Sequence, residues 1–392
     1  MPDDQPPEIV RVVVAGQVPP PLSGQHVAVE RILSELDADE RLEVRHLPYT
    51  FAESMGGQGR PTVGKLLEVL RIWWRLLRLR RTGAIDLYLH PVGGTSRSST
   101  IRDLLILPAA LTLSRHVVLQ FHGAGHGRGW ALGRSPLVQV ARRVLGRCHA
   151  AVVHAEANAI DPRALGIGQV HVVPHRLVDR YRAELVARGD AAEETRLLYV
   201  GHLGPHRGTP ELVAAVGKLA REVPGVVLTL AGEPIRGYSA SQLAADIDAA
   251  GGPEVIAHVG PVSGEDKDRL FATSHALMFP SVFEAESFGL VLVEALMWGL
   301  PVVATDWRAN PEVLGSEADG LVHPSGPDLH RHVGNAVHEA VQALRAGRLP
   351  TWSPANRTRY LDRFRADDGP RSPLADALVE IWRGHRSTGA PN

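Results

Sequence analysis

The 392-residue chain is 44% hydrophobic and 22% charged, with a formal net charge of −1. That is the balance of a water-soluble globular protein, long enough for two domains of about 100–200 residues and without the overall positive charge of a nucleic-acid binder. A single cysteine, Cys148, excludes an intramolecular disulfide or a cysteine metal cluster and fits a reducing cytoplasm.

The acidic, proline-rich start MPDDQPPEIV is unlike a secretory signal, and no apolar run reaches the roughly 18–20 residues of a membrane span. A cytoplasmic protein is expected. Charge is uneven along the chain: residues 1–180 hold 22 Lys+Arg against 16 Asp+Glu, and the remainder 20 against 27. The basic first half would suit an anionic acceptor or a membrane surface.

The chain opens with the buried-type strand Ile9–Ala15, a proline loop, and a helix carrying Val29, Ile32, Leu33 and Leu36 at helical spacing. Strand-like runs follow at Ile85–Leu89, Val117–Phe121, Ala151–Val153 and His171–Val173. Residues 174–194 contain no strand and much charge, so the inter-domain linker is placed there. The pattern restarts at Arg196–Val200, with strands at Val226–Leu230, Val255–Val259, Leu277–Pro280 and Val302–Ala304, and Ser372–Arg386 reads as a terminal helix. Alternating strands and helices predict two doubly wound parallel sheets with ligands at the carboxyl ends of the strands. The expected domains are 1–178, 179–365, and a C-terminal helix and tail, 366–392, packing back towards the N-terminal domain.

The most informative stretch is FATSHALMFPSVFEAESFGLVLVEALMWGLPVVATDWRANPEV, from Phe271 to Val313. A strand ends at Pro280, a loop carries Glu284 and Glu286, and Phe288-Gly289-Leu290 opens a helix that bears Glu294. A helix N-terminus behind an acidic loop offers amides to a diphosphate and carboxylates to sugar hydroxyls. The eight-residue spacing lets Glu286 and Glu294 face one side; taken alone, such a pair is also common on an ordinary solvated helix.

Here the chain resembles the family 4 retaining glycosyltransferases, whose E-x-F-G-L-x-x-x-E-A signature reads ESFGLVLVEAL in this sequence. The resemblance implies a GT-B fold, two Rossmann-like domains facing a central cleft. It assigns Glu286 to donor-sugar hydroxyls, Glu294 to the nucleotide ribose, and the amides of Phe288, Gly289 and Leu290 to the phosphates. The loop VGHLGPHRG is similar to the family's V-G-R-L-x-x-x-K-G, where two cations neutralise the diphosphate. Arg207 keeps one cation and adds bidentate geometry, while His202 departs from the pattern with an imidazole only partly charged near neutrality. A plain surface charge is the other reading of Arg207.

The first loop, PPPLSGQ, resembles the family's glycine-rich loop, with Ser23-Gly24 where two glycines are common. Gly24 reads equally as a site for close backbone approach or as a simple strand-to-helix turn. His122, at the carboxyl end of VVLQFH, takes the place of a histidine that touches the donor sugar in related enzymes, though a lone buried histidine is more often structural. His126, in the adjacent GAGHG loop, is a secondary candidate. No metal and no cofactor are expected, the nucleoside-diphosphate sugar being the donor substrate. The one D-x-D, Asp246-Ile247-Asp248, reads as a solvated helix face.

The sequence thus predicts a retaining, metal-independent transferase moving a hexose-type sugar onto an unidentified acceptor: a bacterial polysaccharide, a lipid-linked glycan or a natural product. The alternatives are an epimerase or phosphorylase of the same fold, or an inactive nucleotide-sugar-binding module. A dinucleotide-dependent oxidoreductase fits less well, since neither the first loop nor GAGHGR completes G-x-G-x-x-G. Nucleic acid is not an expected partner. The basic amphipathic stretch Lys65–Arg81 reads either as a sheet-covering helix with a basic edge, which we favour, or as a contact with anionic lipid at the inner membrane face.

Overall fold

The computed structural model describes residues 9–19, 24–49, 63–92, 97–126, 135–235, 237–316, 320–326, 328–366, 369 and 371–387. In chain order the first elements are β1 (Val10–Ala15), α1 (Gly24–Asp37), β2 (Leu42–Leu47), α2 (Val63–Thr82), β3 (Leu87–Val92), α3 (Arg97–Leu113), β4 (His116–Phe121), α4 (Pro136–Leu145), β5 (Ala150–Val153), α5 (Ile160–Ala164) and β6 (Gln169–Val172). Then come β7 (Thr195–Val200), α6 (Thr209–Glu222), β8 (Val226–Ala231), α7 (Ala240–Ala249), β9 (Ile256–Gly260), α8 (Gly264–Thr273), β10 (Ala276–Phe279), α9 (Leu290–Met297), β11 (Val302–Thr305), α10 (Asn310–Leu314), β12 (Gly320–His323), α11 (Leu329–Arg345), α12 (Pro354–Arg363) and α13 (Pro373–Ser387). They divide into two compact units: Met1–Val173 with Asp367–Asn392, and Pro174–Ala366.

Unit 1 is built on a parallel sheet of order β2-β1-β3-β4-β5-β6. Its central strands are apolar on both faces, as a sheet covered on two sides requires. Val10, Val12 and Val14 of β1 join Ile32 and Leu36 of α1 and Leu378, Ile381 and Trp382 of α13 in one core. Val13 and Ala15 point the other way, into a core shared with Ile72 and Leu76 of α2, Ile106 and Leu107 of α3, and Ala141 and Leu145 of α4. This alternation follows from the two-residue period of a strand.

Unit 2 repeats the plan with a parallel sheet of order β12-β11-β10-β7-β8-β9. Leu197, Leu228 and Met278 meet the apolar stripes of α6, α7 and α11, among them Leu212, Ile247 and Val337. On the other face α9 packs on β10 and β11. The strandless, charged stretch 174–194 is fastened to this unit. Leu177 N–H donates to the Phe364 carbonyl at 2.7 Å, Tyr360 Oη donates to the Leu177 carbonyl at 2.7 Å, and Arg357 pairs with Asp179 at 2.9 Å.

Both sheets have the doubly wound parallel character predicted from sequence, and two strands escaped that reading. β2 (LEVRHL) and β12 (GLVH) lie at sheet edges, where one partner suffices and a continuous apolar run is not needed.

Candidate active site

In unit 2 the chain builds β7, β8 and β9 outward in one direction, then returns to lay β10 on the other side of β7. That reversal is the topological switch point, where loops leaving adjacent strands diverge and open a crevice. The loops concerned follow Val200 and Phe279, and they carry the residues singled out by the E-x7-E and V-G-H-L segments.

After β7 the chain makes a short 3-10 turn, Pro205–Arg207, and enters α6 through Gly208 in the left-handed region (φ 69°). A Cβ at Gly208 would lie 2.8 Å from Cγ of Pro280, so only glycine lets the turn sit against the end of β10. Val282 N–H closes the contact by donating to the His206 carbonyl at 3.0 Å. Arg207 is thereby delivered to Glu286, with which its guanidinium forms an ion pair, and it stacks 4.0 Å from the ring centroid of Phe283. A planar, delocalised cation suits both contacts.

The acidic loop is pinned from below. Trp307 Nε1 donates to the Phe283 carbonyl at 2.8 Å, Thr305 donates to the Ser281 carbonyl, and Asn310 Nδ2 donates to the Thr305 carbonyl at 3.2 Å. Glu284 is held to Arg308 at 2.9 Å. Gly289, again left-handed (φ 64°), turns the chain into α9, so the amides at Leu290 and just before it belong to a helix N-terminus. Phe288 is buried and packs edge-on against His175 and Phe364, with centroids 5.3 and 5.9 Å away, while Leu290 is exposed. Of this trio, then, Phe288 contributes packing by its side chain, and any anion contact falls to the backbone.

Glu294, one turn into α9, is buried and takes different partners from Glu286. Both its oxygens accept from Lys267 Nζ of α8 at 2.7 Å, and Arg180 Nη2 approaches at 3.5 Å. Arg180 also holds Asp268 through Nε at 3.1 and 3.2 Å. The sequence reading did not single out Lys267 or Arg180 as site residues. Lys267 is one of only three lysines in the chain, which was the available signal; Arg180 sits in the stretch read as linker.

His202 presents an exposed imidazole, and its carbonyl accepts from Tyr199 Oη at 2.7 Å. In the D-x-D segment, within α7, Asp246 accepts from Tyr238 Oη at 2.6 Å. The structure therefore gathers Arg207, Glu286 and the 288–290 backbone into one cluster and sets Glu294 beside a second, cationic one.

Gly24 and His122 belong to unit 1. Gly24 opens α1, and residues 20–23 of the proline loop, including Ser23, lie outside the described residues. His126 is buried edge-on against Phe121, with centroids 5.4 Å apart. His122 follows β4 and His154 follows β5, neighbouring strands, which brings His154 Nε2 to 3.3 Å from His122 Nδ1. His154 Nδ1 lies 2.9 Å from the Val173 carbonyl. Burial, and for His122 also its histidine neighbour, lowers both pKa values, to about 3 for His122 and about 4 for His154. Both rings are then neutral at ordinary pH. Since a carbonyl only accepts, the network assigns the proton of His154 to Nδ1, makes its Nε2 an acceptor for His122 Nδ1–H, and leaves His122 Nε2 unprotonated.

Residues 183–342, most of unit 2, match the family model of glycosyl transferases group 1. The two-unit architecture is the GT-B fold. Over 97% of this chain it matches sucrose-phosphate synthase from Thermosynechococcus elongatus (TM-score 0.68, 16% identity, all of that chain) and the Anabaena protein HepE in complex with UDP (TM-score 0.65, 16% identity, 99% of that chain).

Among curated proteins it is similar to D-inositol 3-phosphate glycosyltransferase of Mycobacterium marinum, 38% identical over 234 residues, or 54% of this chain and 48% of the relative. It is also similar to glycogen synthase of Mycobacterium tuberculosis, 30% identical over 218 residues, or 52% and 50%. The chain thus spans about half the length of the curated relatives it matches. The family signal and the charged clusters coincide in unit 2.

Proposed function

We propose that the protein is a retaining, metal-independent glycosyltransferase that moves a sugar from a nucleoside-diphosphate donor to an acceptor at the switch-point crevice of unit 2. The observation that carries this reading is the Arg207–Glu286 pair beside the N-terminus of α9. Each member is the residue that the family resemblance assigns to one half of the donor, Arg207 to the diphosphate and Glu286 to the sugar.

When a donor binds, Arg207 exchanges Glu286 for the phosphate oxygens and, with the amides at 288–290, stabilises the charge that grows on the leaving diphosphate. Glu286, released from Arg207, accepts hydrogen bonds from the sugar hydroxyls. Glu294, steadied by Lys267 and Arg180, accepts from the ribose. The resemblance assigns His122 of unit 1 to the donor sugar, and a neutral imidazole suits a hydroxyl hydrogen bond rather than charge stabilisation. With the diphosphate neutralised by Arg207 and a helix terminus, the cations required come from the protein itself.

Titration calorimetry and thermal shift against nucleoside diphosphates and their sugars test the proposal. UDP is the first choice, because the similar Anabaena protein was solved with it. One nucleotide should raise the melting temperature of the wild type, and Glu294→Ala should lose most of that shift. Release of the nucleoside diphosphate should depend on an acceptor and persist in EDTA. The absence of a response to any nucleotide, or a response that Glu294→Ala leaves intact, would reject this assignment. Donor binding without turnover for any acceptor would favour the inactive binding module.

A further inference from the structure

Helix α2 is apolar on two faces, and among the described residues one of them packs on the sheet while the other is exposed. Val69, Ile72 and Leu76 are buried against the sheet of unit 1. On the outer side Leu67, Leu70, Trp73, Trp74 and Leu77 are exposed, Trp74 by 58% and Leu70 by 53%. Leu70, Trp74 and Leu77 follow one another at helical spacing, so they form a stripe rather than a scatter. The stripe continues onto the neighbouring helix: Trp73 Nε1 donates to the Leu105 carbonyl of α3 at 2.8 Å, and Ile101 and Leu105 are themselves exposed. Beyond them, Val140 of α4 is exposed as well.

The charge on this layer is one-sided. Helices α2, α3 and α4 contain ten lysines and arginines and two acids, Glu68 and Asp103. Both acids are buried, Glu68 facing Arg71 at 3.4 Å and Asp103 holding Arg102 at 2.8 Å. Arg71, Arg78, Arg80 and Arg81 on α2 and Arg142 and Arg143 on α4 remain exposed, and Arg78 lies 5.4 Å from the ring centroid of Trp74. On the opposite face of the same sheet, α1 and α13 carry three cations against five acids. The basic, apolar character therefore belongs to one layer and not to unit 1 as a whole.

We propose that the α2–α3–α4 layer docks unit 1 on an anionic lipid bilayer, with the tryptophans and leucines in the headgroup region and the arginines against the lipid phosphates. Among the described residues no helix is long and apolar enough to cross a membrane, so the contact is interfacial. Charge selects this occupant over a second copy of the chain. A two-fold interface would bring the layer against itself and set arginines against arginines with no exposed carboxylate from the described parts of these helices to answer them. An anionic bilayer supplies both the apolar depth and the opposite charge. The surface lies wholly in unit 1, so the proposal stands or falls separately from the donor site.

The test is co-sedimentation of the full chain with phosphatidylcholine vesicles, with and without phosphatidylglycerol, at low and high salt. Two variants accompany it: Arg71→Gln with Arg78→Gln, Arg80→Gln and Arg81→Gln, and Leu70→Ser with Trp74→Ser and Leu77→Ser. All the substituted residues are exposed, and circular dichroism melting checks that both variants fold. Wild type should bind the anionic vesicles and not the neutral ones. The arginine variant should bind at least about tenfold more weakly, and the apolar variant should bind weakly and come off at modest salt. Failure of the wild type to bind, or binding unchanged in both variants, overturns the proposal. So does a stable dimer, seen by light scattering, that the apolar variant abolishes, because that result assigns the surface to a second copy.

Discussion

Units 1 and 2 are both six-stranded parallel sheets covered on two sides, and they place their charges differently. In unit 2, cations stand with carboxylates where loops leave the switch point and the adjoining helices: Arg207 with Glu286, and Lys267 and Arg180 with Glu294. In unit 1, the loops after β4 and β5 bring together two neutral histidines, while the exposed cations are spread over the outer layer of helices. A paired, half-buried cation is poised to exchange its carboxylate for a phosphate. An exposed one is screened by solvent and acts mainly as part of a broad attractive face. The two proposals thus place a specific anion site in one unit and a broad electrostatic face in the other, on the same architecture.

The sharpest way to break this contrast is to remove one cation from each kind of place. Arg207→Ala should lower turnover by about 10²–10³-fold, the range expected when one donor to a developing oxyanion is lost. Arg207→Lys should recover part of it, keeping the charge without the fork. Arg80→Ala, on the exposed layer, should leave transfer to a water-soluble acceptor unchanged. Acceptor-dependent release of the nucleoside diphosphate measures all three; equal effects from Arg207 and Arg80 would erase the distinction.

A smaller effect is expected at Lys267. Removing it leaves the buried Glu294 carboxylate, among the described residues, with the 3.5 Å contact to Arg180, a loss of about 1–3 kcal/mol for a partly screened pair. Lys267→Ala should lower the melting temperature and weaken nucleotide binding by about tenfold or more, and Lys267→Arg should restore most of both. If the alanine variant binds nucleotide normally while melting lower, Lys267 supports the fold alone.

The sequence revealed unit 2 better than unit 1, and the reason is the range of the interactions. The acidic loop, the Gly289 cap and α9 are contiguous, so one stretch of chain displays them all, and the Arg207 segment has its own local signature in Gly201 and Gly208. The partners that set the electrostatics are distant in sequence: Lys267 lies 27 residues from Glu294 and Arg180 lies 114 away. Nothing local announces that α8 and the stretch after β6 meet α9. Strands β2 and β12 were missed because edge strands lack the apolar run of central ones. His154 was missed although it sits one residue beyond a recognised strand, as His122 does. Only the pairing of β4 with β5 makes those two positions neighbours. On α2 the leucine, tryptophan and arginine content was visible, but which apolar face the sheet covers depends on packing.

The histidine pair offers the finest discrimination between the units. Folding depresses the pKa of His122 to about 3 and of His154 to about 4, from about 6.5 in the unfolded chain. Between about pH 6.5 and 4 the unfolded state therefore binds protons that the folded state refuses. Stability is full above that window and falls as pH drops through it. Each such histidine contributes about 1 kcal/mol of loss from pH 6.5 to 5.5. His275 and His323 in unit 2 are also lowered by burial, so acid weakens both units, but only unit 1 holds this adjacent pair. Differential scanning calorimetry of the wild type and of His154→Gln at pH 7.5 and 5.5 isolates its share. Glutamine can still donate to the Val173 carbonyl and accept from His122, yet it does not titrate, so the variant should lose less stability on acidification by a few degrees in melting temperature. Equal losses in the two proteins would mean that His154 binds its proton alike in the folded and unfolded states, so that burial does not hold it neutral.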